Sequence, residues 1–309
     1  MKDLVLIAGP TASGKTALAL ALARRRPVTV INADSMQVYR DLPILSAQPD
    51  EAAMREVPHR LFGFMDAATP CSAALWAAHA RQAIDAARAE GRLPVAVGGT
   101  GLYFRALLDG LADIPDIPEP VRAQVREALK TRGAPALFDM LMREDPQMAA
   151  RLNPADGQRI ARALEVVRAT GRSLADFQAR ESKAISPPGR RVLRAVLSLP
   201  REVLVERLET RFRAMLAAGG LEEAARLQKR GLNPALPAMK ALGVPSLLAH
   251  LGGRMTREQA INDAVIKSRR YAKRQETWFN NQFRDWLRLD ATEPESALET
   301  LDRAIAEGD

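Results

Sequence analysis

Leu4-Val5-Leu6-Ile7-Ala8-Gly9-Pro10-Thr11-Ala12-Ser13-Gly14-Lys15-Thr16 is the stretch that decides the fold. Its first five residues are apolar and bounded by polar residues and glycine, the pattern of a buried parallel strand. The next eight match G-x-x-x-x-G-K-[ST]. Lys15–Arg26 then reads as an Ala/Leu-rich helix ending in arginines, where cations complement the helix dipole. Strand, glycine loop and helix in that order make a phosphate cradle. The glycines let backbone N–H groups converge on an anion, Lys15 adds a point charge, and the Thr16 hydroxyl suits a Mg²⁺ ion. The segment Gly9, Pro10, Thr11, Ala12, Ser13, Gly14, Lys15, Thr16 therefore predicts a site for a di- or triphosphate.

Working outward, three more apolar runs read as buried strands: Val28–Asn32, Pro94–Val97 and Val192–Leu199. Helical stretches separate the first three, and Ser72–Glu90 stops at Gly91. Strand–helix alternation of this kind implies a doubly wound α/β core. After Gly110 the acidic, proline-rich run DIPDIPEP breaks the pattern. Helical stretches follow at Val121–Arg132, Ala134–Arg143, Pro146–Arg151 and Asp156–Thr170, then a second breaker, SPPG at 186–189. The simplest division is a core of residues 1–114 and 188–309 interrupted by a helical insertion at 115–187. From Arg201 the chain is helical again, with breaks at Gly219–Gly220, Asn233–Pro237 and Gly252–Gly253.

Composition narrows the chemistry. One cysteine in 309 residues, Cys71, excludes an internal disulfide and a Cys-rich zinc site. His59, His79 and His250 are far apart and form no metal motif. No apolar run reaches the roughly 18 residues of a membrane span. These features predict a soluble protein of a reducing compartment, the cytoplasm. The formal charge is +8, which suits a polyanionic partner. Residues 1–112 carry 12 basic and 10 acidic side chains, whereas 254–288 carry 9 and 4. The excess sits late, in Ser268-Arg269-Arg270-Tyr271-Ala272-Lys273-Arg274-Gln275-Glu276-Thr277-Trp278-Phe279. Basic residues mixed with aromatics suit phosphate contact and base stacking. In a helix, those aromatics would pack inward and leave Lys273 and Arg274 facing the anion.

A hydrolysing P-loop enzyme has a second apolar strand ending in Asp. Here Pro94–Val97 runs into Gly98-Gly99-Thr100-Gly101 with no carboxylate, and no guanine-reading N-K-x-D occurs. The acidic residue follows the second strand instead, in Asn32-Ala33-Asp34-Ser35-Met36-Gln37-Val38-Tyr39. Open α/β sheets bind ligands at the C-terminal ends of their strands, which puts Asp34 and Thr100 beside the loop. Asp34 fits a general base, a metal ligand or a helix cap. Thr100 fits a turn residue capping a helix that starts near Leu102. Arg207, Arg211 and Arg213 share one helix and fit a solvated face.

GPTASGKT, ADSMQVY, VGGTGLYFRALLDGL, QRIARALEV, RFRAML and RRYAKRQETWF occur in an order and spacing that resembles the bacterial tRNA dimethylallyltransferases. These isopentenyltransferases prenylate an adenosine next to the anticodon. The resemblance runs from Leu4 to about Trp286. It implies a P-loop NTPase-like doubly wound parallel sheet with a helical insertion domain, a monomer, Mg²⁺ as cofactor, and tRNA and dimethylallyl diphosphate as substrates. It implies that Asp34 is the base for the N6 amine. Thr100 would contact the substrate nucleotide, and Arg211 would reach the diphosphate. Asp34, Ser35, Met36, Gln37, Thr100, Arg122, Gln158, Arg159, Ile160, Ala161 and Arg162 would contact tRNA. Two segments depart from the family pattern: Ile44–Pro49, where Gln48 stands for a Lys, and Val244, where an aromatic is common. The single cysteine also argues against the zinc-finger extension of some larger relatives. Transfer to a free adenine nucleotide and an ATP-driven kinase or switch are the competing readings; the helical insertion argues against the first, and a preference for ATP would favour the second.

Overall fold

A computed structural model describes residues 2–179 and 191–307. The breaker at 186–189 lies outside the described residues. In chain order the first part runs β1 (Leu4–Ala8), α1 (Lys15–Ala23), β2 (Val28–Asn32), α2 (Glu51–Glu56), β3 (His59–Arg60), α3 (Ala73–Ala89), β4 (Leu93–Gly98) and α4 (Gly101–Leu108). Four helices follow: α5 (Glu119–Glu144), α6 (Pro146–Ala149), α7 (Gly157–Thr170) and α8 (Leu174–Gln178). The last part runs β5 (Val192–Ser198), α9 (Arg201–Ala217), α10 (Gly220–Lys229), α11 (Val244–Leu251), α12 (Arg257–Gln282), β6 (Leu287–Asp290) and α13 (Pro294–Ala306).

The six strands form one parallel sheet in the order β3-β2-β4-β1-β5-β6. β1 is central, in register with β4 on one side and β5 on the other. The chain leaves β1 toward β2 on one flank and later returns to β5 on the other. That reversal opens a crevice above the C-terminal ends of β1 and β4, where such sheets take ligands. β1 and β2 are buried along their whole length, as both-sided helix cover demands. One face packs Leu4, Leu6 and Ile31 against Trp76, Ile84 and Phe104. The other packs Val5, Ile7 and Val95 against Leu22, Leu208 and Leu301. β3 and β6 have no counterpart among the strands read from the sequence.

The chain divides into two compact units, Met1–Leu108 with Ile185–Asp309, and Asp109–Ala184. The second unit thus begins at Asp109 rather than at 115. Its helices bury Val125, Leu137, Leu141, Ile160, Leu164 and Phe177 around a core of their own. α5 bends at Gly133, whose φ of 77° lies outside the helical range, just before Pro135. This is where the sequence reading separated Val121–Arg132 from Ala134–Arg143. Asp156 opens α7 by accepting from the Arg159 N–H, the usual work of an Asp at a helix start.

Candidate active site

The phosphate loop joins β1 to α1 as its sequence requires. Gly14 takes φ of 93°, a left-handed value favourable to glycine. The Ser13 N–H donates to Pro10 O at 3.2 Å, tightening the turn. The Lys15 ammonium donates to the same carbonyl at 2.7 Å. Burial pushes Lys15 down to about 8, opposed by the charge of Asp34 and assisted by that of Arg211. The Ser13 hydroxyl is buried with no hydrogen-bond partner among the described residues. A cleft of about 720 Å³ opens over Thr11 to Ala17, with Asp34, Arg207 and Arg211 on its walls.

Asp34 follows β2. Its backbone is set by Asn32, whose side chain accepts from the Asp34 N–H at 2.8 Å and donates to Asp34 O and Leu61 O, both at 3.0 Å. One carboxylate oxygen, Oδ1, accepts from the Met36 N–H at 2.9 Å. No helix starts here, so Asp34 closes a turn and the helix-cap alternative is corrected. The other oxygen faces Gly99. A second cavity of about 330 Å³ shares Thr11, Asp34, Ser46 and Arg211 with the first. Its far wall is apolar, with Leu45, Leu208, Phe212 and Met215. Its polar rim carries Ser35, Tyr271 and Arg274.

Thr100 immediately precedes α4, and its carbonyl accepts from the Tyr103 N–H at 2.9 Å. The Thr100 hydroxyl accepts from the Ser35 N–H at 2.9 Å and donates to the Ser35 hydroxyl at 3.2 Å. It therefore ties the end of β4 to the segment after β2 instead of capping α4 with its side chain. Burial raises the Tyr271 phenol well above its usual value. The sequence reading placed Tyr271 in the core. It is half-buried at the second cavity, with the Arg274 guanidinium 5.7 Å from its ring centre. Lys273 is exposed and lines neither cavity, because the helical turn carries it away from Arg274.

Arg211 projects from α9 and lies 3.5 Å from the Thr11 hydroxyl. Burial lowers its pKa while Asp34 opposes the shift. The solvated-face reading holds only for Arg213, which is exposed and paired with Glu209 and Glu258. Arg207, one turn before Arg211, also faces the phosphate loop; the i, i+4 spacing was the available signal. Met36 lines the second cavity and Gln37 the first. Gln37 donates to Ser46 O and Ala47 O at 3.1 and 2.7 Å. Gln48, the departure from the family pattern, donates to Tyr39 O at 2.8 Å. Val244, the second departure, is fully buried.

In the helical unit, Gln158 and Arg159 are exposed. Arg159 pairs with Asp156 at 3.4 Å and Arg162 with Glu165 at 3.5 Å. Arg122 lies 4.0 Å from Glu119. Ile160 and Ala161 are buried in the unit's core, so the exposed side chains of this segment are those of Gln158 and Arg159.

A family model described as IPP transferase matches residues 37–282, and one described as isopentenyl transferase matches 2–66. The chain belongs to the IPP transferase family. It is 52% identical over 297 residues to the tRNA dimethylallyltransferase of Nitrobacter hamburgensis, covering 96% of this chain and 93% of that one. It is 53% identical over 286 residues to that of a Bradyrhizobium species, covering 92% and 93%. Among solved structures, the tRNA isopentenylpyrophosphate transferase of Bacillus halodurans superposes with a TM-score of 0.70 at 32% identity, over 99% of this chain and 97% of that one. A eukaryotic dimethylallyltransferase crystallised acting on tRNA gives 0.79 at 26% identity, over 99% and 78%. The parallel sheet is accordingly the P-loop NTPase-like core expected of an IPP transferase.

Proposed function

We propose that this chain transfers a dimethylallyl group from dimethylallyl diphosphate to N6 of the adenosine 3′-adjacent to the anticodon of tRNA. The observation that carries the reading is Asp34, shared by a cleft over a phosphate loop and a cavity with an apolar wall and a polar rim. In the reaction the exocyclic nitrogen forms a bond to C1 of the allyl group. The C1–O bond breaks, pyrophosphate leaves, and the N6 proton passes to the Asp34 carboxylate. Lys15, Arg211 and the loop amides supply the positive field into which the leaving group's charge develops. Thr100 and Ser35 hold the segment beside the base. Met36, Gln37, Arg122, Gln158, Arg159, Arg162 and Arg274 are the side chains in this reading that meet the RNA.

Mg²⁺ fits the donor set as a substrate-borne ion. Among the described residues no three His, Cys, Asp or Glu side chains cluster to hold a metal. Mg²⁺ is commonly held by one or two protein groups with water and substrate phosphates, and Thr16 on the phosphate-loop wall is the hydroxyl for that role. When bound, the ion would neutralise charge on the departing diphosphate. No helix among the described residues is long and apolar enough to cross a membrane. The reading places the protein in the cytoplasm with its tRNA, acting as a monomer.

The test is incubation with radiolabelled dimethylallyl diphosphate, Mg²⁺ and tRNA lacking the modification. Label transferred to the adenosine beside the anticodon is the expected result. No transfer sinks the proposal. Asp34→Ala should lose about 10²–10⁴ of turnover while tRNA affinity stays near wild type. Turnover close to wild type would remove Asp34 as the base.

A further inference from the structure

We infer that Gln275 is a positioning residue that sets the distance between the donor's phosphate loop and the acceptor-side loop at Gly99–Gly101. The inference rests on the proposed reaction, and its test is built so that the two can fail separately.

Gln275 lies within α12 and is buried. Its carboxamide spans two loops far apart in sequence. The side-chain oxygen accepts from the Thr11 N–H at 2.9 Å, and the side-chain nitrogen donates to Gly99 O at 2.8 Å. A carboxamide carries an acceptor and a donor side by side on one rigid plane. The two bonds therefore fix its orientation, and through it the spacing of Thr11 from Gly99. Packing permits no slack. A Cβ on Gly99 would overlap the Gln275 amide nitrogen, and one on Gly101 would overlap the Trp278 ring.

Tyr271, Gln275 and Trp278 are spaced i, i+4, i+7 and so share one stripe of α12. Gln275 bonds Gly99, and Trp278 covers Gly101. Gln275 and Trp278 thus both meet the loop that carries Thr100, and Tyr271 lines the second cavity beside it. Only Gln275 also reaches the phosphate loop. Thr11, the residue it holds there, lines both cavities and lies beside Arg211.

The chemical consequence is specific. The nitrogen nucleophile and the allylic carbon come from two separately bound substrates, one held by each loop. Displacement between them requires the reacting atoms at roughly 3–3.5 Å, and an error near 1 Å costs about 10²-fold. A residue that sets loop spacing should act on turnover and leave the binding of either substrate alone nearly untouched.

The experiment compares wild type, Gln275→Glu and Gln275→Ala in the full chain. The Glu variant keeps an acceptor for the Thr11 N–H and sets a carboxylate oxygen against Gly99 O, so it breaks one half of the span. Inorganic pyrophosphate affinity, tRNA affinity, kcat, both KM values and the thermal midpoint are measured for each. We expect kcat to fall about 10²-fold in Gln275→Glu, with pyrophosphate and tRNA affinities within about threefold of wild type at a temperature where every variant is folded. Gln275→Ala should lose at least as much kcat. Unchanged kcat in both variants overturns the inference. So does a kcat loss in Gln275→Glu matched by an equal loss of pyrophosphate affinity, which would mark a merely structural role. Failure of the wild type to transfer label overturns the proposed reaction instead.

Discussion

The mouth of the sheet and the basic face of α7 both carry residues expected to meet substrate, but they are held in opposite ways. At the sheet mouth, Asp34, Thr100 and Gln275 are fixed by bonds to backbone groups. The bonds of Thr100 and Gln275 cross between β2, β4, the phosphate loop and α12. On α7, Arg159 and Arg162 find partners three residues away on the same helix turn or its start. The Arg159–Asp156 pair is exposed, and pairs of that kind contribute about 0.2–1 kcal/mol and exchange readily, whereas Glu165, the partner of Arg162, is buried and also meets Arg126. Chemistry that depends on sub-ångström placement is put where the fold leaves no freedom. Cations that meet a long, variable polyanion are put where an arriving phosphate can replace a carboxylate. The two regions should therefore break differently.

The largest break lies at the sheet mouth. Lys15→Met removes the point charge over the phosphate loop and should lower kcat/KM for dimethylallyl diphosphate by about 10²–10³, with tRNA affinity unchanged in filter binding. A pH titration sharpens the same point without mutation. Lys15 titrates near 8 in the free protein, so it is charged below that value and loses its charge above it. Diphosphate affinity, measured without tRNA, should be level below pH 8 and fall as pH rises through it. Binding at pH 8.5 should draw a proton from solution, seen calorimetrically as a heat that depends on the buffer. A flat profile across pH 7–9.5 would separate Lys15 from the diphosphate.

A smaller effect is expected one step back from the site. The Glu223 carboxylate is buried and accepts from the Ile44 and Leu45 N–H groups at 2.9 and 2.8 Å. It pins the segment that brings Leu45 and Ser46 to the second cavity. Glu223→Ala orphans two backbone donors and should cost about 1–3 kcal/mol of stability, read from the chemical denaturation midpoint. An unchanged midpoint would mean that the segment holds itself.

How much of this could be read beforehand follows the same division. The strands β1, β2 and β4 were legible because a strand buried on both faces must be an unbroken apolar run. β6 was not: Leu287-Arg288-Leu289-Asp290 sits at the sheet edge, where alternate residues meet water and the run is broken by charge. β3 is two residues long and leaves no pattern. The phosphate loop announced itself because its bonds are local. Gln275 and Arg207 did not, since their meaning lies in neighbours far along the chain; Gln275 meets Thr11 across 264 positions. Tyr271 was assigned to the core because an aromatic on an amphipathic helix looks the same whether it meets a core or a cavity. Ile160 and Ala161 belong to a segment that the family resemblance marks for tRNA contact, and their burial in the helical unit's core is not legible from that resemblance.

The smallest expected effect tests the adjustable region. Arg159→Gln exchanges a largely exposed guanidinium, its side chain 71% accessible, for a neutral amide. Only an exposed ion pair with Asp156 is lost, so the thermal midpoint should move by less than about 0.5 kcal/mol equivalent. If Arg159 meets a phosphate, tRNA affinity should fall severalfold, and the slope of log K against log salt should shrink by roughly 0.7–0.9. At saturating tRNA, kcat should stay at the wild-type value, since no reacting atom has moved. The double variant with Arg162→Gln should add a second increment of similar size if the two cations act independently. Loss of kcat at saturation in the single variant would show that the α7 face shares in placing the reacting adenosine, and the contrast between a rigid mouth and an adjustable face would no longer hold.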